Sequence, residues 1–143
     1  MKISKSKKML NNQRIKELEH FLSELNLKAP RYSMQDEKSH NIFETINEAL
    51  THTSVGSEIN HERLEFLGDA VLRLAASEFI DERYPTMNVG ERSALRAHLV
   101  SDSWLTKVGE KIQIKNSLLI GAKAAGDKFA NATLEAEATE ALI

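Results

Sequence analysis

The chain contains no cysteine. That absence excludes a disulfide scaffold, a thiolate zinc site, a CxxC redox pair and a cysteine nucleophile. Only two prolines and six glycines occur in 143 residues, which excludes collagen-like and Pro/Gly low-complexity chains. No apolar run approaches the roughly 18 residues needed to span a bilayer. The opening MKISKSKKML is basic, but Asn11, Asn12, Gln13 and Arg14 follow it where a signal peptide would need an apolar stretch. A soluble, cytoplasmic protein without a membrane partner is therefore expected. Strong charge of either sign is also missing: 19 basic and 21 acidic residues leave a net of −2. A plain nucleic-acid binder would usually be basic. The placement of charge matters more than its sum, however. Lys2, Lys5, Lys7 and Lys8 form a basic tail without an acid, and Glu135, Glu137 and Glu140 crowd the last nine residues without a base.

What is present is enough for one domain. Residues 1–12 read as a mobile basic tail and 13–143 as a single folded unit. Apolar residues fall at helical intervals from Asn12 to Leu27, from Ile42 to Leu50 and, most strongly, from His61 to Tyr84. Asn60 is a candidate N-cap for the third helix and Pro85 stops it. Its apolar residues cover well over half the circumference in its first half, which predicts a central, buried helix. Further helices are expected over 91–100 and 103–111, with Ser101 or Asp102 as cap, and from about 131 to the end. No strand alternation is convincing, so the fold class is all-α.

Glu62, Glu65 and Asp69 lie at i, i+3 and i+7, on one face of that third helix. Leu64, Phe66, Leu67, Ala70 and Val71 sit between them. Ionised carboxylates near a buried interface need compensation by bases, protons or a cation. Bases are scarce here; Arg63 points elsewhere on the wheel, and Arg73, four residues after Asp69, is the one within reach. Glu137 and Glu140 form a second i, i+3 pair amid alanine, leucine and isoleucine. If the two helices pack face to face, four carboxylates converge, and such hard oxygen ligands suit Mg2+ or Mn2+. Surface acids without a metal are the plainer reading of any such pair.

Glu62-Arg-Leu-Glu-Phe-Leu-Gly-Asp-Ala-Val-Leu72 resembles the signature of the ribonuclease III family of double-stranded-RNA endonucleases. Ala49–Ser54 upstream, and Leu95–Ser101 and Glu137–Ile143 downstream, are similar to the family's other blocks, in the family's order. The resemblance implies an all-helical endonuclease domain over residues 13–143, a helical bundle around the signature helix, acting as a homodimer. It implies Mg2+-dependent hydrolysis of double-stranded RNA, ribosomal RNA precursors among them, to 5′-phosphate and 3′-hydroxyl ends. Mn2+ is expected to substitute for Mg2+, and no nucleotide cofactor is expected. Glu65 and Asp69 match the signature's metal-binding acids, and Asp69 and Glu140 match the catalytic ones. Glu62 matches the acid that engages RNA near the scissile bond, and Phe66 the aromatic that plugs a pocket on the partner.

Two departures stand out. The family usually has Asp where this chain has Glu137, so its carboxylate is carried one methylene further; it is kept as a metal ligand beside Glu140. The chain also stops three residues after Glu140, where similar proteins continue into a linker and a double-stranded-RNA-binding domain. A truncated C-terminus is expected. An inactive ribonuclease-III-like dimer that binds structured RNA is the alternative, and it predicts binding without cleavage.

Outside the signature, His52 reads as a hydrogen-bonding or packing residue, His61 and His98 lack ligand spacing, and Trp104 reads as core. Gly68 reads as a point of close helix approach. Arg92, Arg96, Lys123 and Lys128 are candidate phosphate contacts.

Overall fold

The computed structural model describes residues 10–28, 33, 36–126 and 130–143, with the side chains of 130–132 outside the description. Among the described residues seven α-helices follow one another: α1 (Asn12–Glu24), α2 (Glu37–Ala49), α3 (Glu62–Arg83), α4 (Val89–Leu99), α5 (Asp102–Lys111), α6 (Ala122–Ala125) and α7 (Ala130–Leu142). Short 3-10 turns occupy Thr53–Val55 and Ile114–Ser117. Among the described residues there is no strand, only a parallel pairing between Thr51 and Leu119. The all-α expectation holds.

Capping explains most of the boundaries. Asn11 accepts from the Arg14 N–H at the start of α1. Asp36 accepts from the Lys38 and Ser39 N–H groups, so α2 begins five residues before its apolar pattern does. Asn88 and Glu91 form a reciprocal capping box on α4. Ser101, not Asp102, caps α5. Asn60 does not occupy the cap position of α3, but its side-chain oxygen accepts from the Glu62 N–H at 3.1 Å. Most of the basic tail lies outside the described residues; Leu10 and Asn11, placed in that tail by the sequence pattern, belong to the fold. Lys128 is also outside the description.

The core joins Ile15, Leu18, Phe21 and Leu22 of α1 to Phe43, Leu50, Ile114 and Ala138. Arg14 is buried with them. Its guanidinium donates to Asn47 Oδ1 and to the Ser117 carbonyl, both at 2.8 Å, and pairs with Glu17. It thereby ties α1 to α2 and to the second 3-10 turn.

α7 packs most extensively, against α5 and α3. Two glycines permit this. A Cβ on Gly109 of α5 would lie 2.9 Å from Thr139 Oγ1, and one on Gly68 of α3 would lie 1.9 Å from the Glu140 carbonyl oxygen. The backbones of α3 and α7 therefore approach at the level of the acidic residues.

α3 contacts α2, α4 and α7, yet it is less buried than its composition implies. Only Gly68, Ala76 and Ile80 of its 22 residues are buried. Phe66 is 78% exposed and Leu74 62%, with Leu67 and Val71 about half exposed. These four lie at i, i+1, i+5 and i+8, a stripe on the exposed side of the helix. Trp104, expected in the core, is also partly exposed and lies against His98 with ring centroids 5.5 Å apart.

Candidate active site

α3 carries Glu62, Glu65 and Asp69; α7 carries Glu137 and Glu140. The close approach at Gly68 brings the two sets together. His61, at the start of α3, is the hinge of the arrangement. Its side chain is 5% exposed, and its Nε2 lies 3.3 Å from Glu65 Oε2 and 3.3 Å from Glu137 Oε2. The other ring nitrogen, Nδ1, is 3.2 Å from the Thr51 carbonyl oxygen. A carbonyl can only accept, so Nδ1 donates and the ring is fixed with Nε2 toward the acids. The same carbonyl accepts from the His61 backbone N–H at 2.9 Å. The segment bearing Thr51 is anchored in turn: His52 N–H donates to Leu119, and Leu119 N–H to Leu50.

Glu140 sits among like charges. Burial, first, and then the neighbouring Asp69, Glu65 and Asp102 push its carboxyl up to about 7, against a smaller opposing pull from Arg73. Glu65 is raised for the same reasons: burial foremost, then Glu137, with His61 opposing. Two half-buried carboxyls that resist ionisation together form a site short of positive charge. Asp69 is partly compensated, because Arg73 Nε spans both its oxygens at 2.8 and 2.9 Å. Arg63 is turned away, as its place on the helical wheel implies, and grips Glu48 of α2 at 2.9 and 3.1 Å. Glu62 is exposed at the rim.

The structure thus groups Glu65, Asp69, Glu137 and Glu140 and leaves Phe66, three residues before Asp69, exposed at the flank of the group. Three contributors were not singled out by spacing. His61 carries a usable signal, since it precedes Glu65 by four residues. His52 stacks on His61 with centroids 5.1 Å apart, an outcome of tertiary folding that no local pattern announces. Asp102 starts α5, and its charge is felt by both Glu65 and Glu140. Of the candidate phosphate contacts, Arg92 is committed to Asp81 and to the Pro85 and Met87 carbonyls. Arg96 donates to Ser77.

Residues 43–143 match the sequence profile of the Ribonuclease-III-like family. The chain belongs to the ribonuclease III family. It is 51% identical over 135 residues to Ribonuclease 3 of Prochlorococcus marinus, covering 94% of this chain and 54% of that protein. It is 46% identical over 95 residues to Ribonuclease 3 2 of Synechocystis, covering 66% and 39%. The chain thus spans about half or less of the length of these relatives. Among solved structures, the nuclease domain of ribonuclease III from Campylobacter jejuni matches with a TM-score of 0.69 and 29% identity, over 90% of this chain and 80% of that one. That work concerns flexibility in a region of the Campylobacter domain involved in dimer formation. No described helix of this ribonuclease III family member is long and apolar enough to cross a membrane.

Proposed function

We propose that this chain is a divalent-metal-dependent endonuclease that cuts double-stranded RNA as a homodimer in the cytoplasm, with ribosomal RNA precursors among its substrates. The observation that carries this reading is the meeting of Glu65 and Asp69 with Glu137 and Glu140 in a cluster short of positive charge. Glu140, raised to about 7, marks where a cation would relieve the repulsion. All four donors are hard oxygens, which fits Mg2+, with Mn2+ as a substitute. Mg2+ bound there would activate water and offset charge on the attacking and leaving oxygens of the phosphodiester.

The protein's own groups then have separate tasks. Glu65, Asp69, Glu137 and Glu140 hold the ion. Asp69 and Glu140 stand closest to the chemistry, and the exposed Glu62 engages the RNA backbone beside the scissile bond. His61 spaces Glu65 from Glu137, and the Gly68 contact sets the distance between the two helices. Arg73 holds Asp69 at the edge of the site in the absence of an ion and would give it up when one binds.

The apolar stripe of Phe66, Leu67, Val71 and Leu74 supports the dimer. A surface phenylalanine 78% exposed beside three aliphatic residues is the signature of an interface rather than of free surface. A two-fold axis there would place two sites on antiparallel strands and yield staggered cuts. Readout of A-form RNA would rest on shape and on 2′-hydroxyl and phosphate contacts.

End-group analysis tests the chemistry. Long double-stranded RNA treated with the chain and Mg2+ is expected to yield 5′-phosphate and 3′-hydroxyl ends with short 3′ overhangs. Ends bearing 2′,3′-cyclic phosphate would contradict water attack, and RNA bound but uncut would favour the inactive-binder alternative.

A further inference from the structure

Beside the carboxylate pocket lies a second constellation of different chemistry. His52, His61 and Glu137 each place a potential ligand atom within 4.8 Å of the other two. Glu137 Oε2 is 3.3 Å from His61 Nε2 and 3.7 Å from His52 Nε2. In tetrahedral coordination, ligand atoms about 2.0–2.1 Å from an ion lie about 3.4 Å from one another, so modest side-chain movement closes the set. Both imidazoles have an oxygen at Nδ1: the Thr51 carbonyl for His61 at 3.2 Å and the Ser54 hydroxyl for His52 at 2.7 Å. An oxygen partner on the far ring nitrogen is the outer-shell arrangement that orients metal-ligating histidines. His61 is nineteen-twentieths buried, and its Nε2 is directed at Glu65 and Glu137.

We propose that His52, His61 and Glu137 form a nitrogen-rich site for Zn2+ whose occupation takes Glu137 away from the Mg2+ site. Two imidazoles and one carboxylate suit zinc and its neighbours, whereas Mg2+ prefers oxygen alone. Three protein ligands leave a fourth position for water. In the ion-free chain, His52 Nδ1 accepts from the Ser54 N–H at 3.1 Å, so its hydrogen resides on Nε2. On binding, the Ser54 N–H gives up its bond to the ring and turns to water, that hydrogen transfers to Nδ1 with the Ser54 hydroxyl oxygen as its acceptor, and the Nε2 lone pair goes to the ion. No proton is gained or lost at His52. The added methylene of Glu137 gives its carboxylate the reach to serve either site, but it cannot serve both fully.

The zinc-binding half of this proposal is independent of nuclease activity; the inhibitory half rests on the function proposed above. Isothermal titration of the untagged full chain with ZnCl2, in excess Mg2+, should give saturable binding of one ion per chain. His52→Asn keeps an acceptor for the Ser54 N–H and is expected to weaken zinc binding about ten-fold or more, its zinc-free cleavage serving as its own reference in the cleavage arm. His61→Asn should weaken it likewise. Co2+ added in place of zinc should develop the visible bands of a tetrahedral site in the parent and not in His52→Asn. Absence of saturable zinc binding, or equal affinity in parent and His52→Asn, would overturn the site. In the cleavage arm, zinc should slow Mg2+-supported cutting by the parent at concentrations that leave His52→Asn active. One-to-one zinc binding with undiminished cleavage would overturn the sharing of Glu137. A parent that never cuts with Mg2+ would count against the proposed function and leave the titration to decide the site.

Discussion

A Cβ placed on Gly68 would stand 1.9 Å from the backbone carbonyl oxygen of Glu140. No side chain can flex to relieve that contact, because the obstructing atom is backbone. Gly68→Ala gains about 1 kcal/mol of intrinsic helix propensity, but it must force α3 and α7 apart, and overpacking of this kind costs about 2 kcal/mol or more. Net destabilisation is expected in urea denaturation, together with weaker Mg2+ binding, because the two halves of the acidic site separate. Unchanged stability would show that the helices do not meet as described.

The raised carboxyl of Glu140 makes a signed prediction. Its folded-state value of about 7 lies above the unfolded value of 4.5, so the folded state binds more protons between those values. Its contribution to stability is present below about pH 4.5 and is lost as pH rises through 7. Asp69, Glu65, Asp102 and Arg73 are the charges that face it. In EDTA, this group should therefore lower the Tm as pH rises from 5 to 8. Glu140→Gln should flatten that fall. Mg2+ should raise the Tm more at pH 8 than at pH 5.5, since it binds the deprotonated form. An identical pH profile for Glu140→Gln would remove Glu140 from the coupled set.

Arg73 competes with any cation for Asp69. The pair is largely exposed, so water screens it and it is weak. Arg73→Gln should accordingly tighten Mg2+ binding roughly two-fold by calorimetry. A decrease in affinity would mean that the guanidinium orients Asp69 for the ion rather than opposing it.

The exposed stripe on α3 carries the assembly prediction. Phe66→Asp should convert a dimer into a monomer in sedimentation equilibrium, without lowering the stability of the isolated fold, since Phe66 makes little contact within its own chain. A parent that is monomeric at all concentrations, or a Phe66→Asp variant that stays dimeric, would contradict it.

Those residues also show where the sequence was legible and where it was not. Helix positions followed from spacing, and Gly68 was readable as a point of close helix approach, though not that α7 is the helix that approaches there. The acids on one face of α3 were readable from i, i+3 and i+7. The apolar richness of α3 was read as burial within the chain, but hydrophobicity does not say which molecule provides the cover. Arg14 was unreadable as a core residue, because its partners, Asn47 and the Ser117 carbonyl, lie 33 and 103 residues away. His52 reached the site in the same way, through the backbone pairing of Thr51 with Leu119. Asp102 looked like a helix cap; the Ser101 hydroxyl took that role and left the carboxylate facing the acidic pocket.

The central claim is that acids from α3 and α7 form one metal-dependent nuclease site. The most direct test is cleavage of long double-stranded RNA at low salt by the full chain, with Mg2+ or EDTA, beside Glu65→Gln and Glu140→Gln. The parent should cut with Mg2+ and not in EDTA, and each variant should lose about two orders of magnitude or more. Cutting that survives EDTA, or full activity in either variant, would contradict it.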